Sequence, residues 1–480
     1  MVLMELLKEL ETMETNVDLA TEITGVFNDS RRVIPGSIFV AIAGSLHDGH
    51  LYIPKALENG AVLVVSEQPL HTSVPYIVVP DTKEALARLG AAFMGHPARR
   101  MTMVGVTGTN GKTTTTHLLY ELFNRTPGCV AGLIGTNHIL YPGAALAAER
   151  TTPDAVALQK IFRDMADAGC THCVMEVSSH ALEQKRVAGI TYEAAAFTNL
   201  TQDHLDYHGT MDNYFEAKRI LFEQCGHAVV NMDDKYGAEL KNAQPCLLTT
   251  FSIDAPSDLQ ARDVHLAADG VSMTVEWQGE TARLTWGTPA RFSVYNVLTA
   301  VGIALRLGLK LEDIARELVT VPPICGRMEV VPVPADFTVV IDYAHTPDAL
   351  ENVLETMVAL KKGRLITVFG CGGDRDNGKR PLMGGIAARL SDLAVVTSDN
   401  PRTEKPEKII EQILAGMPDC TPIVEVDRRA AIHRALAMAQ AGDVIMICGK
   451  GHEMYQEING VTYPMDEREL VAGFWRAEND

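Results

Sequence analysis

The sequence predicts an α/β protein made of three successive segments. Its 480 residues exceed the ~250–300 residues at which a single hydrophobic core stops growing, so two to four domains are expected. Short apolar runs alternate with helix-like stretches along the chain, which is the pattern of sheets covered by helices. Proline interrupts this alternation at His96-Pro97 and again at Val321-Pro322-Pro323, and a new unit begins after each break.

The three segments differ in their strand patterns. The first, residues 1 to about 97, carries the apolar runs "SIFVAIAG", "AVLVVSE" and "YIVVP" between helix-like stretches. The second runs to about Cys325 and is richer in alternating, β-like pieces over residues 245–285. From Gly326 onward strands and helices alternate cleanly, so the third segment is predicted to be a parallel sheet with helices on its faces.

The composition is that of a globular protein and argues against several kinds of partner. Hydrophobic residues make up 46% of the chain and charged residues 21%. The net charge of -19 argues against a general nucleic-acid or membrane-surface binder, because phosphates would be repelled. The N-terminus carries acids and has Leu3, Leu6, Leu7 and Leu10 at helical spacing, which predicts a docked helix rather than a signal peptide. Nine cysteines fit reduced thiols in a cytoplasm.

The strongest motif is "VGVTGTNGKTTTTHLL", Val104–Leu119, in which a strand feeds a Gly-rich loop and then a helix. Glycines let backbone N–H groups converge on phosphate oxygens, and the helix N-terminus adds its positive dipole end. Lys112 is expected to reach the β- and γ-phosphates, and the Thr113 hydroxyl to bind Mg²⁺. Val106 stands where the longer phosphate-loop motif has glycine, so this is a shortened form, GxxGKT. The alternative is an ordinary Gly-rich turn, which the coincidence of strand, glycines, lysine, threonine and helix disfavours.

Three polar side chains of the second segment stand at positions where burial is expensive. Glu176 ends an apolar strand in "VMEVSSH", which indicates a metal ligand, a salt bridge or a helix cap. His204, in "TQDHLDYH", is either a metal ligand or an ordinary polar core histidine. Lys218 shares a helical stripe with Tyr214 and Phe222. It can snorkel to the surface, meet an anion, or be covalently changed so that its positive charge is removed.

Four loops of the third segment are more charged and more Gly-rich than simple chain reversal requires: "IDYAHTPDAL", "GCGGDRDNGKRP", "SDNPRT" and "CGKGHE". Each alone is as readily a surface turn, but four such loops after the strands of one sheet favour a ligand site, because open α/β sheets bind ligands at that edge. "SDNPRT" places Asp399 and Arg402 on either side of Asn400-Pro401. A pocket for a small molecule with both an amine and a carboxylate would use both charges.

Nine motifs, in order along essentially the whole chain, resemble those of the Mur ligases: "TGTNGKTT", "EVSSH", "TNLTQDHLDYHG", "YFEAKRILF", "GRME", "DYAHTPDAL", "GCGGDRDNGKRP", "DNPR" and "GKGHE". The resemblance implies an N-terminal UDP-substrate-binding domain at 1–97, a central P-loop ATPase domain at 98–325 and a C-terminal Rossmann-like, amino-acid-binding domain at 326–480. It is closest to the ligases that add the third residue of the peptidoglycan stem peptide. The implied substrates are UDP-MurNAc-L-Ala-D-Glu, meso-2,6-diaminopimelate and ATP, and the implied metal is Mg²⁺.

In this family ATP phosphorylates the γ-carboxylate of the D-glutamate, and an amine attacks the acyl phosphate. The resemblance implies catalytic roles for Lys112, Glu176, His204 and Lys218. Two Mg²⁺ ions are implied: Thr113 and Glu176 would hold the first, and His204 and Lys218 would serve the second. Lys218 would be carbamylated to N6-carboxylysine, which turns the amine into an anionic carboxylate. The implied ATP-binding residues are the P-loop and three later positions: Gly108, Thr109, Asn110, Gly111, Lys112, Thr113, Thr114, Asn296, Arg327 and Asp342.

The resemblance also implies two substrate pockets. The UDP-sugar dipeptide is expected to contact Ser30, Ser45 of the Gly44–His47 loop, Thr151, Thr152, Ser178, Gln184 and Arg186. Arg150 stands where many relatives have Asn or Leu, so no contact is assigned to it. Diaminopimelate is expected to contact Arg375, Asp399, Asn400, Pro401, Arg402, Gly449 and Glu453. Arg402 with Arg375 would clamp the second carboxylate that lysine lacks, while the acids hold ammonium groups.

Three alternatives remain open at the level of sequence. The same reaction with L-lysine is one. A folylpolyglutamate or cyanophycin synthetase is another, although such enzymes would lack "DNPR" and the "DSR" of the UDP site. A nucleotide-gated regulatory protein is disfavoured, because the four implied catalytic residues are all present. Only small-molecule partners are expected, with no nucleic acid, no membrane insertion, a cytoplasmic location and a monomeric state.

Overall fold

A computed structural model of the chain contains three main β-sheets, one in each predicted segment. It describes residues 1–10, 14–15, 18–44, 48–70, 75–243, 246–267 and 269–475. The predicted α/β class is confirmed, because strands at the centre of every sheet run parallel and helices cover them. Within those ranges no helix has the length and apolar character needed to cross a bilayer. The exact boundaries of the three domains stay a prediction.

The N-terminal segment holds five short strands and three α-helices. In chain order they are α1 (Leu3–Leu6), β1 (Glu14–Thr15), β2 (Val26–Phe27), β3 (Ser37–Val40), α2 (Ile53–Glu58), β4 (Ala61–Ser66), β5 (Tyr76–Val78) and α3 (Thr82–Phe93). The sheet order is β1-β5-β4-β3-β2, with β1 antiparallel and the rest parallel. The predicted N-terminal helix is confirmed over one turn, with Leu3 and Leu6 buried, and continues as a 3₁₀ turn at Leu7–Glu9.

The middle segment is built on an eleven-stranded sheet in the order β16-β15-β14-β13-β12-β11-β6-β10-β7-β8-β9. Its elements are β6 (Thr102–Thr107), α4 (Lys112–Arg125), β7 (Ala131–Ile134), β8 (His138–Tyr141), β9 (Ala144–Ala147), α5 (Ala155–Asp167), β10 (His172–Glu176), α6 (Ser179–Glu183), β11 (Tyr192–Phe197), α7 (Leu205–His208), α8 (Met211–Glu223), β12 (Cys225–Asn231), α9 (Lys235–Ala243), β13 (Leu247–Ser252), β14 (Leu259–Ala267), β15 (Gly270–Trp277), β16 (Glu280–Trp286), α10 (Arg291–Arg306) and α11 (Leu311–Leu318). The β-rich region predicted over 245–285 is confirmed as β13 to β16.

Parallel pairing in the middle sheet brings three functional loops to one edge. Strands from β14 to β7 in the sheet order are parallel, and antiparallel strands close both ends. Strand β6 lies between β11 and β10, so the loops that follow these three strands are neighbours. Apolar side chains fill both faces, and full burial of a side chain such as Phe162 or Phe222 contributes about 1.5–3 kcal/mol.

The C-terminal segment contains a six-stranded sheet and a separate hairpin. Its elements are β17 (Glu329–Val331), β18 (Thr338–Asp342), α12 (Pro347–Leu360), β19 (Leu365–Phe369), α13 (Lys379–Leu390), β20 (Leu393–Val396), α14 (Pro406–Leu414), β21 (Ile423–Val424), α15 (Arg428–Met438), β22 (Val444–Cys448), β23 (Tyr455–Ile458), β24 (Val461–Pro464) and α16 (Glu467–Phe474). The order is β17-β18-β22-β19-β20-β21, and the predicted parallel sheet is confirmed for β18 to β21. The four charged loops therefore follow four adjacent strands, β18, β22, β19 and β20.

Candidate active site

The Gly-rich loop between β6 and α4 is shaped so that two of its glycines admit no side chain. Gly108 has φ +147° and Gly111 has φ +88°, both in the region that favours glycine. A Cβ at Gly108 would lie 1.8 Å from Thr198 Oγ1, and one at Gly111 would lie 2.3 Å from Asn296 Oδ1. Gly111 precedes the first residue of α4, so the loop delivers backbone N–H groups and a helix N-terminus to the same place. This geometry suits a phosphate chain.

Lys112 and Lys218 both lie under this loop. Lys112 Nζ donates to the carbonyls of Gly108 and Thr109 at 2.9 and 2.8 Å, and Lys218 Nζ donates to the Gly108 carbonyl at 2.7 Å. Burial lowers the pKa of Lys112, against the opposing charges of Glu176 and Asp203. Burial lowers the pKa of Lys218 well below its ordinary value, and the Lys112 charge lowers it further. Both effects shift Lys218 towards the neutral amine.

The snorkelling alternative for Lys218 does not hold in this structure. The residue is 1% exposed, and its Nζ lies 4.4 Å from the centre of the Tyr214 ring. Lysine is rarely buried without an anionic partner, and its hydrogen-bond acceptor here is a neutral carbonyl. The side chain thus points into the site rather than to solvent.

Glu176 ends β10 in full burial beside the Gly-rich loop. Its carboxylate accepts hydrogen bonds from the backbone N–H and the hydroxyl of Thr136, at 2.8 and 2.9 Å. No side chain among the described residues forms an ion pair with it, so the salt-bridge alternative is not supported. An acceptor-only carboxylate with spare lone pairs fits a hard cation such as Mg²⁺.

His204 follows β11 and adopts a left-handed conformation with φ +53°. Its Nε2 lies 3.4 Å from Asp203 Oδ2, and its ring meets the His180 ring edge-on at 4.8 Å. Burial lowers the pKa of His204, so the imidazole favours the neutral form that ligates metals. Within the described ranges no three His, Cys, Asp or Glu side chains are grouped so as to hold a metal ion by themselves. Mg²⁺ does not require such a group, because phosphate and water oxygens usually complete its shell.

A cavity of about 330 Å³ opens between the middle and C-terminal segments beside the Gly-rich loop. Six of the predicted ATP-binding residues line it: Asn110, Gly111, Thr114, Asn296, Arg327 and Asp342. Arg327 donates to Thr113 Oγ1 at 3.0 Å and stacks on the Tyr343 ring at 4.6 Å. Asp342 accepts from the backbone N–H groups of Met328 and Ala344, each at 2.7 Å. The cavity is continuous with the phosphate-binding loop and is lined from two segments.

Five of the residues predicted to contact the UDP-sugar dipeptide lie together. Thr152 Oγ1 donates to the Glu176 carbonyl at 2.9 Å and accepts from Ser178 N at 3.0 Å. The Arg186 guanidinium donates to the Thr152 carbonyl at 2.9 Å and to Gln184 Oε1 at 2.6 Å. Thr151, the fifth, lies 3.0 Å from the Thr136 hydroxyl that also binds Glu176.

The remaining two predicted contacts lie in the N-terminal segment. Ser30 is buried, and its carbonyl accepts from Asn59 Nδ2 at 2.8 Å. No hydrogen bond among the described residues joins it to the group around Thr152. Ser45 lies outside the described residues.

The loops after β20 and β22 bring Asp399, Asn400, Gly449 and Glu453 together. Asp399 is 7% exposed, and its Oδ2 is buried without a hydrogen-bond partner among the described residues. A Cβ at Gly449, which has φ +116°, would lie 2.5 Å from that oxygen. Asn400 Nδ2 donates to Glu453 Oε2 at 2.8 Å. The unpartnered, buried Asp399 oxygen is suited to a cationic group of a ligand.

The two arginines predicted for this pocket differ in their surroundings. Arg402 is partly buried, has φ +50°, and donates from Nη1 to the Gly373 carbonyl at 2.8 Å. Pro401 before it is buried. Arg375 is exposed and donates to the carbonyl of Asp374 at 2.9 Å. The Arg402 side chain is therefore fixed by burial and by its bond to Gly373. The Arg375 side chain is exposed and bonds only to the carbonyl of the residue before it among the described residues.

Sequence reasoning missed two buried charged residues of the site. Lys450 is fully buried and donates to Asn400 Oδ1 at 2.9 Å and Glu453 Oε2 at 3.1 Å. Burial opposes the shift, but the Lys450 charge holds the pKa of Asp399 below its ordinary value. Asp203 lies 3.9 Å from both His345 Nε2 and Lys379 Nζ, which come from the C-terminal segment. Both residues stand inside quoted motifs, "CGKGHE" and "TQDHLDYH", beside residues that were singled out.

Comparison with protein families gives three matches in chain order. A family described as "Mur ligase family, catalytic domain" matches residues 22–94. The "Mur ligase middle domain" matches residues 106–304, and the "Mur ligase, glutamate ligase domain" matches residues 326–451.

Individual relatives are similar over nearly their full length. The UDP-N-acetylmuramoyl-L-alanyl-D-glutamate--2,6-diaminopimelate ligase of Gloeobacter violaceus is 48% identical over 93% of this chain and 93% of its own. The protein of the same name from Phocaeicola vulgatus is 41% identical over 100% of both chains. A solved structure of a ligase of that name superposes with a TM-score of 0.72 at 33% identity, covering 100% of this chain and 99% of its own. The chain belongs to the Mur ligase family.

Proposed function

We propose that this chain is the ATP-dependent ligase that joins meso-2,6-diaminopimelate to the D-glutamate γ-carboxylate of UDP-MurNAc-L-Ala-D-Glu. The reaction serves peptidoglycan precursor synthesis in the cytoplasm, and the enzyme acts as a monomer. Relatives named for this reaction support the substrates. The single observation that carries the choice of amino acid is Arg402, a partly buried guanidinium held by its Nη1 bond to the Gly373 carbonyl, three residues after Asp399 on the same loop.

The nucleotide site supports ATP as the phosphoryl donor. The Gly108–Thr114 backbone and Lys112 cradle the phosphates, and Arg327 approaches from the other side through its bond to Thr113. Asn296 and Asp342 line the rest of the cavity, where the adenosine would lie. ATP and the γ-carboxylate of the D-glutamate are both anionic. The positive charges of Lys112 and Arg327 lower the electrostatic repulsion between them.

The residues around Glu176 fit a bound Mg²⁺. Thr113 and Glu176 would hold one ion, and His204 and carbamylated Lys218 would serve a second. Mg²⁺ bound there would screen the charges of the phosphates as a Lewis acid. Carbamylation of Lys218 requires the neutral amine, which its depressed pKa favours. The change also converts a buried amine into an anionic oxygen ligand, which accounts for a lysine in this apolar stripe.

The residues proposed to bind the UDP substrate lie next to Glu176, which is a proposed metal ligand. The Thr136 hydroxyl contacts both Thr151 and Glu176. Thr152 is hydrogen-bonded to Ser178 and to the Glu176 carbonyl at the end of β10. A dipeptide held by Thr151, Thr152, Ser178, Gln184 and Arg186, with its UDP end near Ser30 and Ser45, would present its terminal carboxylate to the phosphates. Phosphorylation then gives an acyl phosphate, the amine attacks its carbonyl carbon, and phosphate leaves as the amide forms.

The amino-acid pocket supports a doubly zwitterionic substrate. Asp399 and Glu453 offer carboxylates to ammonium groups, and Arg402 offers a planar fork to a carboxylate, with Arg375 nearby on an exposed loop. Asn400, Pro401 and Gly449 shape the backbone between these charges. L-Lysine lacks the second carboxylate and would gain nothing from Arg402, so diaminopimelate is preferred.

Phosphate release from ATP tests this function. The purified enzyme is supplied with UDP-MurNAc-L-Ala-D-Glu, ATP and Mg²⁺, and with diaminopimelate, L-lysine, L-ornithine, L-glutamate or no amine. Diaminopimelate is expected to give by far the highest rate. Release driven by L-lysine would instead establish the lysine-adding reaction, and release driven by L-glutamate with a folate in place of the UDP substrate would establish a folylpolyglutamate synthetase.

A further inference from the structure

The β23–β24 hairpin is joined to the loop that carries Asp399 and Arg402. Arg402 N donates to the Glu457 carbonyl at 3.1 Å, and Asn459 N donates to the Arg402 carbonyl at 2.7 Å. These bonds form a short parallel bridge between Arg402 and Ile458. They hold Arg402 at φ +50°, a conformation that non-glycine residues rarely adopt. The hairpin thus fixes the backbone of the arginine proposed to bind the substrate carboxylate.

Side chains of the hairpin fix the same loop at two further points. Gln456 Nε2 donates to Ser398 Oγ at 3.0 Å and to the Asp399 carbonyl at 2.7 Å. Glu457 N donates to Asn400 Oδ1 at 2.9 Å. Every residue from Ser398 to Asn400 therefore has a bond to β23.

The Glu457 carboxylate also orients the Arg402 guanidinium. Glu457 Oε2 lies 3.3 Å from Arg402 Nε, and Arg402 Nη1 donates to the Gly373 carbonyl. Among the described residues these are the acceptors within bonding distance of that side chain. A guanidinium has five N–H donors in one plane. The ion pair at Nε and the bond from Nη1 to Gly373 therefore leave Nη2 and the second N–H of Nη1 to a carboxylate. Glu457 decides which edge of Arg402 is left for a ligand.

The hairpin contributes little to the core of its domain. All four residues of β24 are exposed, with Val461 and Tyr463 each 50% exposed. The hairpin is therefore tied to the domain more by its hydrogen bonds to the loop of Asp399 and Arg402 than by buried apolar side chains. An element that packs weakly but bonds to a binding loop at several points is suited to set the geometry of that loop.

We propose that Glu457 and Gln456 are positioning residues for selection of the added amino acid. Glu457 acts through Arg402, which would bind the second carboxylate and so favours a substrate that has one. Gln456 acts through Asp399, which would bind an ammonium group of the same substrate. The proposal rests on the proposed function, since it assigns these residues to the diaminopimelate pocket.

Steady-state kinetics of Glu457→Ala, Gln456→Ala and Glu457→Gln test it, with Thr462→Ala as the matched control. Thr462 pairs with Glu457 across the hairpin, is exposed, and makes no side-chain hydrogen bond among the described residues. Glu457→Ala is expected to raise KM for diaminopimelate about tenfold, while kcat and KM for ATP change less than about twofold. Glu457→Gln retains an oxygen for Arg402 Nε and should stay within about threefold of wild type. Thr462→Ala should match wild type.

A double-mutant cycle separates positioning from general destabilisation. In an Arg402→Ala background, Glu457→Ala is expected to add less than about twofold to KM for diaminopimelate, because its target is gone. Equal tenfold effects in both backgrounds, or no change of KM in either Glu457→Ala or Gln456→Ala, would overturn the inference. If wild-type enzyme shows no diaminopimelate-dependent phosphate release, the proposed function itself fails, and that result is seen before any variant is made.

Discussion

Lys112 and Lys218 share one hydrogen-bond acceptor, the Gly108 carbonyl oxygen, at 2.9 and 2.7 Å. Two ammonium groups on one carbonyl repel each other, and burial makes this repulsion larger than it would be in water. The pKa of Lys218 is lowered well below its ordinary value as a result of burial and of Lys112. The Lys112 charge therefore adds to burial in shifting Lys218 towards its neutral amine.

Lys218 is expected to be carbamylated in buffer that contains bicarbonate. A neutral amine adds to CO₂, and the product carries a negative charge that Lys112 and a metal ion would stabilise. Native mass spectrometry near pH 8 should show the chain about 44 Da, the mass of one CO₂, heavier than the unmodified sequence. Lys218→Arg, which keeps a cation but not the reactive amine, should lack this mass and lose activity. An unmodified mass together with full activity that does not respond to bicarbonate would refute carbamylation.

Replacement of Gly111 by alanine should abolish nucleotide binding. Its Cβ would stand 2.3 Å from Asn296 Oδ1, so the Asn296 amide must turn away from the loop and leave the position it takes in the nucleotide cavity. Gly128 is the matched control, because it has nearly the same φ, +83°, and no atom within 4 Å of an added Cβ. Gly128→Ala should lose only about 1 kcal/mol of stability from its backbone conformation. Isothermal titration calorimetry with ADP measures the nucleotide affinity of both variants. Equal ADP affinities of Gly111→Ala and Gly128→Ala would contradict the role of the Gly-rich loop in phosphate binding.

Arg402→Ala should lower kcat/KM for diaminopimelate by about 2–4 kcal/mol in transition-state binding. Arg402→Lys should recover only part of this loss, since an ammonium cannot form the two parallel bonds of a guanidinium. The comparison is with kcat/KM for L-lysine, which offers no second carboxylate and should change little. Unchanged kinetics with diaminopimelate would remove Arg402 from the pocket.

His208 is expected to make the enzyme less stable as the pH falls from 6.5 to about 4. Its side chain is 1% exposed between Ser179 and Glu183, and burial lowers its pKa from 6.5 to about 4. In that window the unfolded chain binds a proton that the folded chain resists, so the free energy of unfolding drops as pH decreases. The contribution is about 2–3 kcal/mol between the two pH values. Urea denaturation of His208→Gln at both pH values should show a smaller drop than wild type, and identical drops would contradict it.

Local sequence was enough to predict the loops of the site but not their partners. The Gly-rich loop could be predicted because strand, glycines, lysine and helix are contiguous, and their chemistry is set by their own backbone. The parallel C-terminal sheet could be predicted from its regular alternation. Both features depend on residues that are close together in the sequence, within one strand and the helix that follows it.

The contacts that shape the amino-acid pocket depend on residues far apart in the chain. Arg402 meets Glu457 through a hairpin that looks like any exposed turn in the sequence. Arg428, buried against Glu467, donates to the carbonyls of Ser398 and Cys448 and so ties two binding loops together. Nothing periodic marks such pairs, because they are set by tertiary packing. The burial of Lys450 was missed for the same reason.

The most direct measurement of the central claim is a competition between amines in a single reaction. Equal concentrations of meso-diaminopimelate and L-lysine are mixed with enzyme, ATP, Mg²⁺ and UDP-MurNAc-L-Ala-D-Glu, and the UDP-linked products are resolved by mass spectrometry. We expect almost all product to carry one diaminopimelate, joined with loss of water, and ADP to form in equal amount. A product that carries lysine in equal or greater yield would contradict the claim, as would ADP formation without any UDP-linked product.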